Sequence, residues 1–380
     1  MNEPQTVALV LGSGGARGYA HIGVIEVLRE QGYNIVAISG ASMGALIGGM
    51  YAAGKLQAYK DWVTGLDQLQ LLRLLDFSLG SPGAIRGEKV FGVVQEMLGD
   101  LRIEDLQIPF TAVATDLLAH QEVWFQEGPL HQAVRASTAI PSVITPVMLH
   151  GRVLVDGGLL NPLPIIPTVA SHADLIMAVN LSGNDKRYAN LPPLEEWASR
   201  ERKQHEAAAE AAAQAAADEE VDPAEEADAS PDEWLDRLKQ RAARWFDWDG
   251  QDSAARRRGR ASSEEQALAE AQKRHAREKA AGKGSEGDDA RSVSLQELGL
   301  GKFDVMNLAI ETMQDSLTRY KIAGYPPDIL INFPKHVCRS FDYHRAPELI
   351  QLGRMLAEDA LEDHRNAGTG EPRIPGMNRQ

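Results

Sequence analysis

Three short groups of residues could do chemistry. Ser42 stands in Gly40-Ala41-Ser42-Met43-Gly44. A serine becomes a nucleophile when a sharp turn exposes its hydroxyl and a neighbouring base takes its proton. Flanking glycines suit such a turn, because no Cβ crowds it. The five-residue pattern is common by chance, so its setting matters more than its letters. The setting is favourable. Residues 34–39 (NIVAIS) read as a buried strand and residues 45–53 as a small-residue helix closed by Gly54. A helix that begins at the nucleophile aims its positive end at a developing anion. The competing structural reading is a serine that caps the helix.

The second group is Gly14-Gly15-Ala16-Arg17-Gly18, directly after a strand expected at 6–11 (TVALVL). A P-loop would end in Gly-Lys-Ser/Thr, and here Tyr19 follows Gly18. A dinucleotide fingerprint begun at Gly12 would need glycine where Arg17 stands. An oxyanion hole fits better, since consecutive glycines let backbone N–H groups converge on an alkoxide. A plain tight turn is the remaining alternative. Arg17 would hold the loop or attract an anionic head group. The third group is Asp156-Gly157-Gly158, after a strand expected at 152–155. An aspartate emerging at a strand end could act as a base, yet Asp-Gly is also a routine turn signal. None of the ten histidines sits in a motif-like setting, and His21 reads as a helix residue beside the first strand.

The elements that would carry these groups alternate. Strands are expected at 6–11, 34–39, 110–115, 121–125, 152–155, 174–180 and 328–333, with helices at 19–31, 45–53 and 347–362. Continuous apolar strands between helices predict an α/β fold, a mostly parallel sheet sandwiched between helices. A sharp change in composition comes after Ser182. Residues 201–228 are nearly all Ala, Glu, Asp and Gln, and 251–291 are rich in Arg, Glu, Ala, Gly and Ser. Neither has the apolar face needed to join a core. The expected organisation is a catalytic core at 1–182, a polar insertion at 183–295, helical in part or disordered, closing elements at 296–362 and a flexible tail at 363–380. A separate C-terminal domain from about 296 is the alternative.

A formal net charge of −15 argues against a nucleic-acid partner. The single cysteine, Cys338, leaves neither an intramolecular disulfide nor a cysteine-based metal site, and neither metal nor cofactor is expected. MNEPQTVALV lacks the basic and apolar regions of a signal peptide, and no apolar run is long enough to span a bilayer. The expected location is cytoplasmic, with peripheral contact at the inner membrane. Two segments could make that contact. Residues 66–79 are leucine-dense and read as an acyl-channel lining, a lid or an ordinary buried helix. Residues 231–248 place Trp234, Leu235, Leu238 and Trp245 on one helical face beside Arg237, Lys239, Arg241 and Arg244. That pattern suits an interfacial helix, and equally a surface covered by protein. Oligomeric state is not legible.

Taken together, the three groups resemble the signature blocks of the patatin-like phospholipase family. Ala136-Ser137-Thr138-Ala139-Ile140-Pro141 is similar to the family's stretch before the aspartate block, and Asn161-Pro162-Leu163-Pro164 to the stretch after it. The resemblance covers about 6–182, and 320–360 looks like the closing elements of bacterial relatives. Ser13 departs from the pattern, where many relatives carry a further glycine. The resemblance implies a Ser42–Asp156 dyad without histidine. It also implies an oxyanion hole from Gly14, Gly15, Ala16, Arg17 and Gly18, an elbow framed by Gly40 and Gly44, and a phospholipid or lysophospholipid substrate. The alternatives are a thioesterase or general carboxylesterase, and a non-catalytic lipid-binding or regulatory protein on the same fold. An ordinary aspartate, with a pKa of about 3.9, is a poor base for a serine near neutral pH. The hole would then carry much of the catalysis.

Overall fold

The structure, a computed structural model, describes residues 4–66, 70, 74, 87–141, 143–183, 186–188, 191, 194 and 302–369. Two compact units are distinguished, Met1–Arg202 with Ile310–Gln380, and Lys203–Ala309. The described part of the second unit is the start of a helix, 302–309. The expected insertion at 183–295 lies outside the described residues from 195 onward. So do 231–248 and, apart from Leu66, Gln70 and Leu74, the segment 66–79. Among the described residues no helix is long and apolar enough to cross a membrane.

The first unit is built on one mixed, mostly parallel sheet. Its strands are β1 (Thr6–Leu11), β2 (Asn34–Ala41), β3 (Phe110–Asp116), β4 (Gln121–Phe125), β5 (Val147–Leu149), β6 (Arg152–Asp156), β7 (Leu175–Gly183) and β8 (Ile329–Pro334). Hydrogen-bonded neighbours run β5-β6-β3-β2-β1-β7-β8, and β4 also pairs with β3. From β3 through β2, β1 and β7 to β8 the pairing is parallel. The central strands β1, β2, β3 and β7 are buried along both faces because both faces are covered. Along β1, Val7, Leu9 and Leu11 join the larger core, while Val10 faces a second cluster with Leu163, Ile165 and Ala178.

The helices of this unit are α1 (Ala20–Glu30), α2 (Met43–Ala52), α3 (Leu56–Thr64), α4 (Glu88–Leu98), α5 (Leu130–Ser137) and α7 (Ala346–Thr369). The helix α6 (Lys302–Gly324) enters it at Ile310. Helices α1 and α7 cross at glycines. A Cβ on Gly23 would sit 2.1 Å from the Ile350 carbonyl oxygen, and one on Gly353 2.1 Å from that of Ala20. Ile322 of α6 packs against the second cluster. The sheet sandwiched between helices is the fold class expected from the sequence. The three-residue β5 is too short to be read in advance. Helices α3, α4 and α5 are not among those expected from the sequence, although α3 buries Leu56, Tyr59 and Val63 at helical spacing.

One feature of the sheet positions the chemistry. Strand β4 pairs with β3 from Ala112 to Asp116. Strand β2 pairs with β3 as far as Val113, and β6 pairs with it from Ala114 onward. Because β4 overlaps both, β2 and β6 must share the opposite edge of β3. One runs parallel to β3 and the other antiparallel. Their C-terminal ends meet at adjacent rungs, Ala41 opposite Val113 and Asp156 opposite Ala114.

Candidate active site

Ser42 follows the last residue of β2 and precedes the first of α2. Its backbone lies at φ 55°, ψ −124°, a region that side chains other than glycine rarely occupy. Such strain persists only where the surroundings over-determine it. A Cβ on Gly40 would stand 2.4 Å from the Gly44 carbonyl group, and one on Gly44 2.0 Å from the Leu11 carbonyl oxygen. The amide of Ser42 donates to Ser137 Oγ at 2.9 Å, and Ser137 Oγ donates to the Val113 carbonyl at 2.5 Å. The Ser42 side chain makes no capping bond to α2. Its Oγ instead donates to Asp156 Oδ2 at 2.5 Å. That removes the helix-cap reading of this serine.

Asp156 ends β6, and both of its carboxylate oxygens are engaged. Oδ2 accepts from Ser42 and Oδ1 accepts from the Gly158 amide at 2.7 Å. Its own amide donates to the Ala139 carbonyl at 2.9 Å. The two glycines allow close approach. A Cβ on Gly157 would lie 1.9 Å from the Val113 carbonyl oxygen, and one on Gly158 2.4 Å from Ser13 Oγ. Asp156 is 4% exposed. Burial pushes its carboxyl up to about 6, against the opposing pull of the bonds from Ser42 and Gly158. The ordinary carboxylate assumed from sequence understates it as a base, because sequence does not report desolvation.

The glycine loop is fixed peptide by peptide. The Gly12 amide donates to the Val179 carbonyl at 3.0 Å and that of Ser13 to Pro162 at 2.8 Å. The Gly12 carbonyl is met by His21 Nε2 at 2.9 Å. A carbonyl only accepts, so the ring donates from Nε2, and burial holds its pKa down at about 4. The Ala16 amide donates to the Ser340 carbonyl at 2.8 Å. Among the described residues no hydrogen-bond partner takes the amides of Gly14 and Gly15. A Cβ on Gly18 would overlap that of Met43 at 2.2 Å, so the loop packs directly on the start of α2. Arg17 is buried. Its Nε donates to the Gly14 carbonyl at 3.3 Å, and its Nη2 reaches Ser340 Oγ at 2.7 Å and Glu311 at 3.3 Å. It holds the loop rather than facing outward.

The residues singled out in the sequence thus come together as a hydrogen-bonded serine–aspartate pair beside a loop with two unclaimed amides. Among the described residues the Ser42 hydroxyl is bonded to Asp156 and to no histidine. No group of three or more His, Cys, Asp or Glu among them could hold a metal ion. The sequence alone assigns no role to Ser137, Glu311 or Ser340. Ser137 lies in the run before the aspartate block, but nothing there marks it as the support of the Ser42 amide. Ser340 and Glu311 carry no local signal, since their contacts span 323 and 294 residues of chain from Arg17.

Comparison with known proteins places the chain in a family. The family model described as patatin-like phospholipase matches residues 9–169. An uncharacterized NTE family protein of Mycobacterium tuberculosis (strain H37Rv) is 42% identical over 367 residues, covering 94% of this chain and 91% of that protein. Patatin-like phospholipase domain-containing protein 6 of Mus musculus is 31% identical over 188 residues, 48% of this chain and 14% of that protein. Among solved structures, VipD from Legionella pneumophila aligns with a TM-score of 0.40 at 16% identity, over 49% of this chain and 52% of that one. The chain belongs to the patatin-like phospholipase family.

Proposed function

We propose that the protein is a serine acyl hydrolase that cleaves carboxylic esters of phospholipids or lysophospholipids. Ser42 is the nucleophile and Asp156 the proton acceptor. The observation that carries this reading is the 2.5 Å hydrogen bond from Ser42 Oγ to Asp156 Oδ2 where β2 and β6 meet. Family membership supports a lipid ester as substrate.

Ser42 Oγ attacks the ester carbonyl as its proton passes to Asp156. The amides of Gly14 and Gly15 stabilise the oxyanion, helped by the N-terminus of α2. Protonated Asp156 then gives its proton to the departing alcohol. Water attacks the acyl-Ser42 ester, Asp156 accepts the water's proton, and that proton returns to Ser42 as the fatty acid leaves. A carboxylate whose pKa is raised to about 6 is the stronger base, yet stays ionised at neutral pH.

The test uses a short p-nitrophenyl ester and defined phospholipids and lysophospholipids, with a fluorophosphonate probe for the nucleophile. Ser42→Ala is expected to abolish turnover, and Asp156→Asn to lower kcat by about 10²–10⁴-fold. Probe labelling should disappear in Ser42→Ala. Full activity in either variant would overturn the dyad. Release of fatty acid from thioesters but not from glycerolipids would replace the substrate class and keep the mechanism.

A further inference from the structure

Two amides form the proposed hole, and one of them is aimed by a group far away in the chain. The Gly15 N–H belongs to the same peptide as the Gly14 carbonyl. In a planar trans peptide the two point in opposite directions. Arg17 Nε holds the Gly14 carbonyl at 3.3 Å, so wherever Arg17 sits decides where the Gly15 N–H points. The free φ of Gly15, at 57°, offers no resistance of its own to rotation of this peptide.

Arg17 is in turn held from outside the loop. Ser340 Oγ accepts from Arg17 Nη2 at 2.7 Å and donates to Glu311 Oε1 at 2.8 Å. Glu311 also faces Arg17 Nη2 at 3.3 Å, with the arginine side chain 4% exposed. A guanidinium so deeply buried must be paired, and Glu311 supplies the charge. The backbone of Ser340 acts on the next peptide along, its carbonyl accepting from the Ala16 amide at 2.8 Å. Its carbonyl oxygen also lies 2.2 Å from where a Gly15 Cβ would be. One residue therefore restrains both peptides that flank Gly15.

We infer that Ser340, together with Glu311, is a positioning residue for the oxyanion hole, locking Arg17 so that the Gly14–Gly15 peptide presents its N–H to the Ser42 reaction centre. The inference deepens the proposed acyl-hydrolase reading and rests on it for the catalytic consequence. The latch itself has a readout that does not depend on catalysis.

The variants are Ser340→Ala, Ser340→Thr and Glu311→Gln in the full chain. Amide hydrogen exchange is followed in a peptide covering the glycine loop, and ester hydrolysis is measured alongside. Ser340→Ala should speed exchange at Ala16, whose amide is bonded to the Ser340 carbonyl, while the amides of β1 and β2 keep their protection. It should lower kcat by about tenfold to a hundredfold with KM nearly unchanged. Ser340→Thr keeps the hydroxyl and should restore both. Glu311→Gln should resemble Ser340→Ala. Loop exchange and kcat both unchanged in a folded Ser340→Ala protein would overturn the latch. So would a loss that Ser340→Thr does not restore, or one that appears in KM alone. If the wild-type protein neither hydrolyses esters nor labels with fluorophosphonate, the acyl-hydrolase reading fails. The exchange data then still decide whether Ser340 holds the loop.

Discussion

At the scale of single residues, Asp156 couples activity to stability. Its carboxyl sits near 6 when folded, against an ordinary value near 3.8. Between those two values the folded state holds more protons than the unfolded one. Stability therefore falls as pH rises through that window and levels off above about 6. The proposed base works only when ionised, so kcat/KM should rise along the same limb, with an inflection near pH 6. Asp156→Asn removes the buried charge. It should unfold at higher denaturant than wild type at pH 8, by at most roughly 3 kcal/mol, and lose that advantage near pH 4. Chemical denaturation at the two pH values measures the difference. Ser42 offers a second comparison. Ser42→Gly and Ser42→Ala both delete the bond to Asp156, but only glycine relaxes the positive φ. The glycine variant should be the more stable by about 1 kcal/mol, and both should be inactive. Strain of this kind, kept at the proposed nucleophile, would trade stability for function.

At the scale of elements, the sheet junction explains why Ser137 matters. Its hydroxyl accepts from the Ser42 amide and donates to the Val113 carbonyl, the rung of β3 where β2 ends. Ser137→Ala would leave both groups without their buried partner. The expected cost is about 1–3 kcal/mol, with a fall in kcat as the elbow shifts. Thermal unfolding with parallel ester kinetics checks both. This junction also marks the limit of what the sequence shows. Strands β1, β2, β3 and β7 are legible because burial on both faces makes them continuous apolar runs. Ser42 and the glycine loop are legible because close approaches, such as Gly44 against Leu11, admit no Cβ. The meeting of β2 with β6 is not legible, because strand pairing is a long-range choice that leaves no mark on the strands themselves. Asp156 is therefore a weak signal alone and gains its meaning beside the other two blocks. The latch of Arg17, Ser340 and Glu311 is invisible in the sequence for the same reason.

At the scale of the whole molecule, the last part of the chain belongs to the same compact unit as the first. Strand β8 covers the edge of β7, and α7 buries Leu349, Ile350, Leu352 and Leu356 in the core shared with α1. Arg354 ties the two helices further through Glu26 and Glu30. A chain ending at residue 301 should thus fail to give soluble protein, since it bares an unpaired strand edge and an apolar helix face. We propose that replacing 203–301 with a long Gly/Ser linker leaves the fold and ester hydrolysis in place. Circular dichroism melts of the two proteins, with p-nitrophenyl ester turnover, separate these outcomes. The composition of 201–228 and 251–291, alanine and charged residues with few large apolar side chains, motivates the contrast.

The end-to-end meeting of β2 and β6 also bears on how this fold could change. Ser42 and Asp156, the proposed nucleophile and base, are spaced by backbone rungs, Val113 and Ala114, rather than by the reach of side chains. An imidazole inserted between them would need room that the ladder does not leave. Withdrawing β6 by two residues, about 6.6–6.8 Å, would open that room and keep Asp156 on the same face. A withdrawal of one residue would turn it away from Ser42 altogether. A serine–histidine–aspartate relay would therefore need a change of strand register as well as an added histidine, because at the existing spacing Ser42 bonds Asp156 directly.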